Sequence, residues 1–253
     1  MKTLRNSRVQ GGFNLFEAMV VTAVLAVLIA IWLPRLAGMR PPCGHPGFCG
    51  NNLKQIGLSF RQWALDNGDK LPMRVSTNEG GTKELVASGN SCAIFEVLSN
   101  ELNTPKILVC PDEPSPGRIS ATFFGRGPTP CPPGQLPLTK DHLSYFVGVD
   151  AASDVPQMIL AGDDHLALGN RELGAGLVDL GTNNSLAWTS RRHKGQGFIL
   201  LADGSVLNLN SAQLRASFAA TGAVTNRVAM PGPPKVVGRN VRGHRTWWCQ
   251  PCR

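Results

Sequence analysis

Beyond Asp203 this chain of 253 residues contains no aspartate or glutamate, while the same region carries Arg215, Arg227, Lys235, Arg239, Arg242, Arg245 and Arg253. The formal net charge of +8 is therefore largely a C-terminal property. A run of this kind suits nucleic acid, anionic lipid or acidic glycans, and its plain alternative is a solvated, flexible end. Enzymatic signatures are also missing. No serine or cysteine stands in a recognised nucleophile context, which argues against covalent hydrolysis and for a protein that is not an enzyme. Neither a His-Glu-x-x-His helix nor an Asp-x-Asp-x-Asp-Gly loop occurs, so the most readable metal motifs are excluded.

The N-terminus lacks acid too: residues 1–12 hold Lys2, Arg5 and Arg8 and no carboxylate. From Phe13 to Leu33 the only charge is Glu17. That length matches a bilayer span of about 20 residues, so the sequence predicts a transmembrane helix over 13–34. The basic flank places the leader on the cytoplasmic side and everything after Leu33 outside. No small-residue cleavage site follows the apolar stretch, as an ordinary secretory signal requires; Gly11 and Gly12 precede it. An ionised carboxylate in hydrocarbon costs on the order of 3 kcal/mol, so Glu17 calls for a partner unless it only reaches the headgroups.

Basic leader, Gly12, Phe13, a polar residue, a hydrophobic pair and Glu17 together resemble the class III signal of type IV pilins and type II secretion pseudopilins. The resemblance implies a prepilin peptidase that cuts between Gly12 and Phe13 and methylates the new amine of Phe13. It also implies that Glu17 pairs with the N-terminal amine of a neighbouring subunit, a pair strengthened by low dielectric. NNLKQIGLSFRQWALDNGDKLP, PKILVCPDE, LSYFVGVDA and MILAGDDHL resemble the prepilin-type proteins abundant in Verrucomicrobia. His193, nine further residues and Asp203-Gly204 match their H-X9-DG signature.

Read physically, that signature is a hairpin. The apolar run Phe198 to Ala202 leads into Asp203-Gly204, a favoured central pair for a two-residue turn, and Val206, Leu207 and Leu209 follow. His193 is then a residue at the start of a strand with local hydrogen bonds; the catalytic alternative pairs it with Asp203 as base and orienter. Upstream, the Pro/Gly-rich segment 35–50 breaks the spine. Asn51 or Asn52 caps a helix with Leu53, Ile56, Phe60 and Trp63 on one face, stopped at Asn67-Gly68. Residues 51–214 form a pilin-like domain, and 215–253 a basic, flexible tail. The fold class is α+β: a transmembrane helix, then a helix packed on an antiparallel sheet.

Seven cysteines on an extracytoplasmic domain point to disulfides, with at least one thiol left over. Cys43 and Cys49 bracket the Pro/Gly break and suit a local bridge. Cys249 and Cys252 stand as a zinc half-site, a redox pair, a tail disulfide or free thiols. Asp163, Asp164 and His165 cluster in an expected loop, and by the pilin resemblance Ca²⁺ is a candidate ligand there, with no metal site assigned. The expected function is mechanical: a subunit of a pilus-like or pseudopilus filament at the inner membrane, partnered by prepilin peptidase and other pilin subunits. The alternatives are a DNA-binding minor pilin using the basic tail and a membrane-anchored periplasmic enzyme.

Overall fold

The computed structural model describes residues 14–37, 46–114, 117–125, 135–181 and 185–233. The chain divides into two units, Met1–Pro42 and Cys43–Arg253. In the first, α1 spans Leu15–Ala37 and continues through Pro34. Glu17 lies in its first turn, where its Oε2 accepts a hydrogen bond from the Asn14 N–H at 3.2 Å. This satisfies one of the amides that a helix start leaves unpaired.

The transmembrane assignment does not hold. Among the described residues no helix is long and apolar enough to cross a membrane. The single-pass placement in an inner membrane falls with it.

The second unit is α+β and built around antiparallel strands. Its first helix, α2, spans Pro46–Asp66 and begins inside the expected break, because a proline is tolerated in the first helical turn, where its missing N–H has no partner to lose. Asn51 and Asn52 thus lie within the helix rather than at its cap, and the Asn52 side chain instead donates to the Val109 carbonyl at 3.3 Å. Leu53, Ile56 and Phe60 are fully buried and Trp63 nearly so, as the three-and-four spacing predicts. Two short helices, α3 (Ser91–Val97) and α4 (Ser99–Leu102), follow a series of 3-10 turns.

The strands are β1 (Tyr145–Gly148), β2 (Ile159–Asp163), β3 (Leu166–Leu168), β4 (Arg171–Glu172), β5 (Gly176–Asp179), β6 (Leu186–Trp188), β7 (Gln196–Leu201), β8 (Val206–Asn210) and β9 (Arg227–Met230). Between β8 and β9 lies α5, Ser211–Ala220, closed at its start by a reciprocal Asn210–Gln213 capping box. Six strands form one antiparallel sheet in the order β5-β9-β1-β2-β7-β8, and three form a small second sheet, β4-β3-β6.

Alternation along the strands divides the core between two faces. Tyr145, Val147, Phe198, Leu200 and Ala229 join the cluster under α2, whereas Phe146, Ile199, Val228 and Met230 join the one with α5 and the small sheet. On the α2 side the approach is close: a Cβ on Gly57 would stand 2.7 Å from Leu200 Cδ1.

The segment expected as a tail is in part a component of this core. β9 pairs with β1 on one side and β5 on the other, and the Arg227 amide donates to Asp150 Oδ2 at 2.9 Å. The basic residues from Lys235 onward lie outside the described residues.

Candidate functional site

β2 and β7 run antiparallel, with Gly162 opposite Ile199, so the C-terminal end of β2 meets the segment that leads into β7. The first contributes Asp163, Asp164 and His165; the second contributes Arg191, Arg192 and His193. The turn after Cys110 adds Asp112 and Glu113, and Arg118 follows. These residues make a buried polar cluster where the sequence led to an expected loop around Asp163–His165: those three are 0%, 2% and 0% exposed.

Asp164 is the hub. Its carboxylate pairs with Arg118, Arg192 and, at 2.9 Å, Arg191. Arg192 also reaches Glu113 Oε2 at 2.7 Å and the Ser144 carbonyl at 3.2 Å, and Arg118 donates to the carbonyls of Lys140, at 2.8 Å, and of Gly232. Arg191 completes the set with Glu172 Oε1 at 2.8 Å. Charges in a dry interior persist only when matched in this way. Burial opposes the charged form of Arg192, but the carboxylates of Asp164, Asp163 and Glu113 outweigh it and hold its pKa above the usual arginine value.

His165 belongs to the same cluster in a neutral form. Burial, with the adjacent Arg192 charge next, pushes its pKa down to about 2. Its Nε2–H donates to the Gln196 carbonyl at 2.8 Å, its Nδ1 faces Arg192 at 3.2 Å, and its ring stacks on Trp188 at 4.9 Å between centroids.

His193 occupies a left-handed backbone conformation, φ 51°, followed by Lys194 at 56° and Gly195 at 78°. Non-glycine residues adopt this conformation at a cost, and here the turn swings the imidazole inward. The side chain is 2% exposed. Its Nδ1 lies 2.9 Å from Asp112 Oδ2, and its Nε2 lies 3.4 Å from Cys110 Sγ and 3.5 Å from Asp163 Oδ2. These partners are distant in sequence, in contrast to the local hydrogen bonds expected. Cys110 is disulfide-bonded to Cys49. The Asp163 carboxylate accepts from the Phe198 amide at 2.8 Å through Oδ2, while its Oδ1 is buried without a hydrogen-bond partner. Burial pushes its pKa up, against the charges of Arg192 and His193.

Asp203 and Gly204 stand at the other end of β7, about 20 Å away along six strand residues, so they cannot work on one reacting atom with His193. They sit in the β7–β8 connection. Leu201 N–H donates to the Ser205 carbonyl and Gly204 N–H to the Leu201 carbonyl, each at 2.9 Å, and Gly204 has φ 88°. This is a three-residue loop with a glycine bulge, not the expected two-residue turn: only Gly204 takes positive φ, and Asp203 folds back to accept from the Ser205 amide at 2.7 Å. Those contacts with Ser205 hold the Asp203 carboxyl below its usual pKa.

The Cys49–Cys110 bridge replaces the expected Cys43–Cys49 pairing, because α2 carries Cys49 into the core, where it meets the segment after Leu108. Cys92 is a free thiol, pushed up to about 12 first by burial and then by Glu96. Gly12 and Phe13, the cleavage and methylation positions, lie outside the described residues, as do Cys43, Cys131, Cys249 and Cys252. Glu17 lies within them, exposed, with Asn14 as its partner.

The groove of about 360 Å³ along α2 is lined by Gln55, Leu58, Gln62, Leu102 and Ile107, apart from these groups. A signal for the cluster was present in the sequence: Asp163-Asp164 directly follows one apolar run and Arg191-Arg192 shortly precedes another, which brings opposite charges to the same end of two paired strands. No family model, curated protein or solved structure matches the chain.

Proposed function

We propose that the protein is a structural subunit of a type IV pilus-like or pseudopilus filament, matured by a prepilin peptidase at Gly12–Phe13 and assembled through α1. The supporting observation is the state of α1 in the single chain. Leu15, Phe16, Met19, Val24 and Val27 are 79%, 73%, 64%, 53% and 59% exposed, and Val20, Val21, Leu25, Leu28 and Ile29 are also exposed. A helix apolar on every side requires a cover, and the same helix in other copies is an apolar cover of matching length.

Glu17 fits this reading. Among the described residues its hydrogen-bond partner is a neutral amide, that of Asn14. A neighbouring subunit that begins at Phe13 offers a charged amine instead, and opposite charges in low dielectric attract far more strongly than in water. The reading requires burial of α1 among copies and no bilayer crossing.

Co-expression of the full chain with a prepilin peptidase tests it. Mass spectrometry is expected to find a mature chain that starts at N-methylated Phe13, and crosslinking a ladder of oligomers that Glu17→Ala removes while the fold of the second unit persists. An intact Met1 under active peptidase, or an undiminished ladder in Glu17→Ala, would sink the proposal.

A further inference from the structure

The Cys49–Cys110 disulfide is buried beside an imidazole and a carboxylate, and its neighbours are arranged as ligands. One sulfur atom of each cysteine and one ring nitrogen of His193 lie within 4.8 Å of one another. Cys110 Sγ is 3.4 Å from His193 Nε2, and Asp163 Oδ2 is 3.5 Å from the same nitrogen. Donors around a tetrahedral zinc ion, with bonds of about 2.0 to 2.3 Å, stand about 3.5 Å apart. The Nε2 atom therefore already occupies a ligand position relative to a thiolate and a carboxylate. The two sulfurs, joined in the disulfide, are too close, and the Asp163 carboxylate, which stands outside the set within 4.8 Å, has to shift toward them.

Two further observations point to a cation. Both ring nitrogens of His193 face acceptors, Asp112 at Nδ1 and Cys110 with Asp163 at Nε2. An N–H at Nδ1 with a cation at Nε2 satisfies both sides, and a carboxylate behind a metal-bound imidazole is the usual way to orient such a ligand. The other is Asp163, fully buried, whose Oδ1 makes no hydrogen bond and has only the Arg192 guanidinium at 4.0 Å. Two thiolates, an imidazole and a carboxylate in a closed interior form a donor set suited to zinc in a structural site.

We propose that the reduced protein binds one Zn²⁺ through Cys49, Cys110, His193 Nε2 and the Asp163 carboxylate, and that formation of the Cys49–Cys110 disulfide expels it. The exchange balances with a dithiol as reductant. The dithiol passes two electrons and two protons to the S–S bond and becomes a disulfide itself, leaving two thiols on the protein. Zn²⁺ then displaces the two thiol protons to solvent. In the reverse direction, a disulfide takes two electrons from the zinc-bound thiolates and two protons from solvent, which removes both sulfur ligands together and returns a dithiol. Asp112 acts on the metal only by orienting His193.

The test uses the full chain with Cys43, Cys131, Cys249 and Cys252 replaced by serine, so that no other cysteine pair competes for metal. The reduced chain is expected to retain one equivalent of zinc after desalting, to raise its melting temperature with zinc, and to give the thiolate charge-transfer and tetrahedral d–d bands with cobalt. The air-oxidised chain should retain none. Asp112→Asn should weaken metal affinity about 10–100-fold, and His193→Gln should abolish the cobalt bands. Circular dichroism of each sample reports folding independently. A reduced chain that folds but holds no metal overturns the proposal, as does one that zinc fails to fold. Unchanged metal retention in His193→Gln, or equal retention by the oxidised chain, does the same.

Discussion

The two units of the chain distribute polarity in opposite ways. In α1 large apolar side chains face outward and the lone acid of the first turn is spent on a backbone amide. In the second unit three arginines and their carboxylates are drawn inside and satisfy one another. The first arrangement is incomplete within one chain, because uncovered apolar surface gains free energy as soon as something removes it from water, at about 25 cal/mol per Å². The second pairs its arginines with carboxylates within one chain and resists change, since removal of any partner strands a charge. Mutations should therefore act on assembly in the first unit and on folding in the second.

The severest challenge to that contrast is Arg192→Met. It leaves Asp164 and Glu113 buried with one guanidinium fewer, and breaking a buried pair from one side costs about 3–5 kcal/mol. Urea unfolding should show that loss with an unchanged slope; a variant within about 1 kcal/mol of the parent would mean that the cluster is hydrated and the contrast overstated.

Acid should act on the second unit next most strongly. The folded pKa of His165 is depressed to about 2 from an ordinary 6.5, so below pH 6.5 the unfolded chain takes up a proton that the folded chain refuses. Its contribution is fully present above that pH and is lost as pH falls, by about 3 kcal/mol between pH 6.5 and pH 4. Stability measured against pH should have that slope, and His165→Gln should flatten it even though the substitution lowers stability at neutral pH. An unaltered slope would place the acid response elsewhere.

The smallest effect concerns the β7–β8 loop. Gly204 has φ 88°, where a Cβ is disfavoured although no atom crowds it. Gly204→Val is expected to cost at least about 1 kcal/mol, read as a fall in melting temperature with no new activity. A neutral result would show that the loop can refold around the side chain.

Legibility in the sequence followed the range of the interactions. The stripe Leu53, Ile56, Phe60 and Trp63 and the run before Asp203 are local patterns, and local patterns report which residues share a face. The charged cluster joins Asp112 and Glu113 to Arg192 and His193 across about eighty residues, a register that periodicity does not carry, although the placing of Asp163-Asp164 and Arg191-Arg192 beside apolar runs hinted at it. β9 was missed for a different reason. Composition without acids reads as tail, but Val228, Ala229 and Met230 bury themselves and Arg227 finds its carboxylate, Asp150, in the turn after β1.

The position of β9 has a consequence for how the protein is made. It is the last strand in the described chain, yet it lies inside the six-stranded sheet, and it is the strand against which β5 pairs. As the chain leaves the ribosome, β1, β2, β7 and β8 can join in order, while β5 waits with its edge unpaired until residues 227–230 emerge and slot between it and β1. An unpaired edge recruits other strands. Translation that stalls before Arg227 would therefore release a nascent chain with a vacant strand position between β5 and β1, open to a strand from another copy.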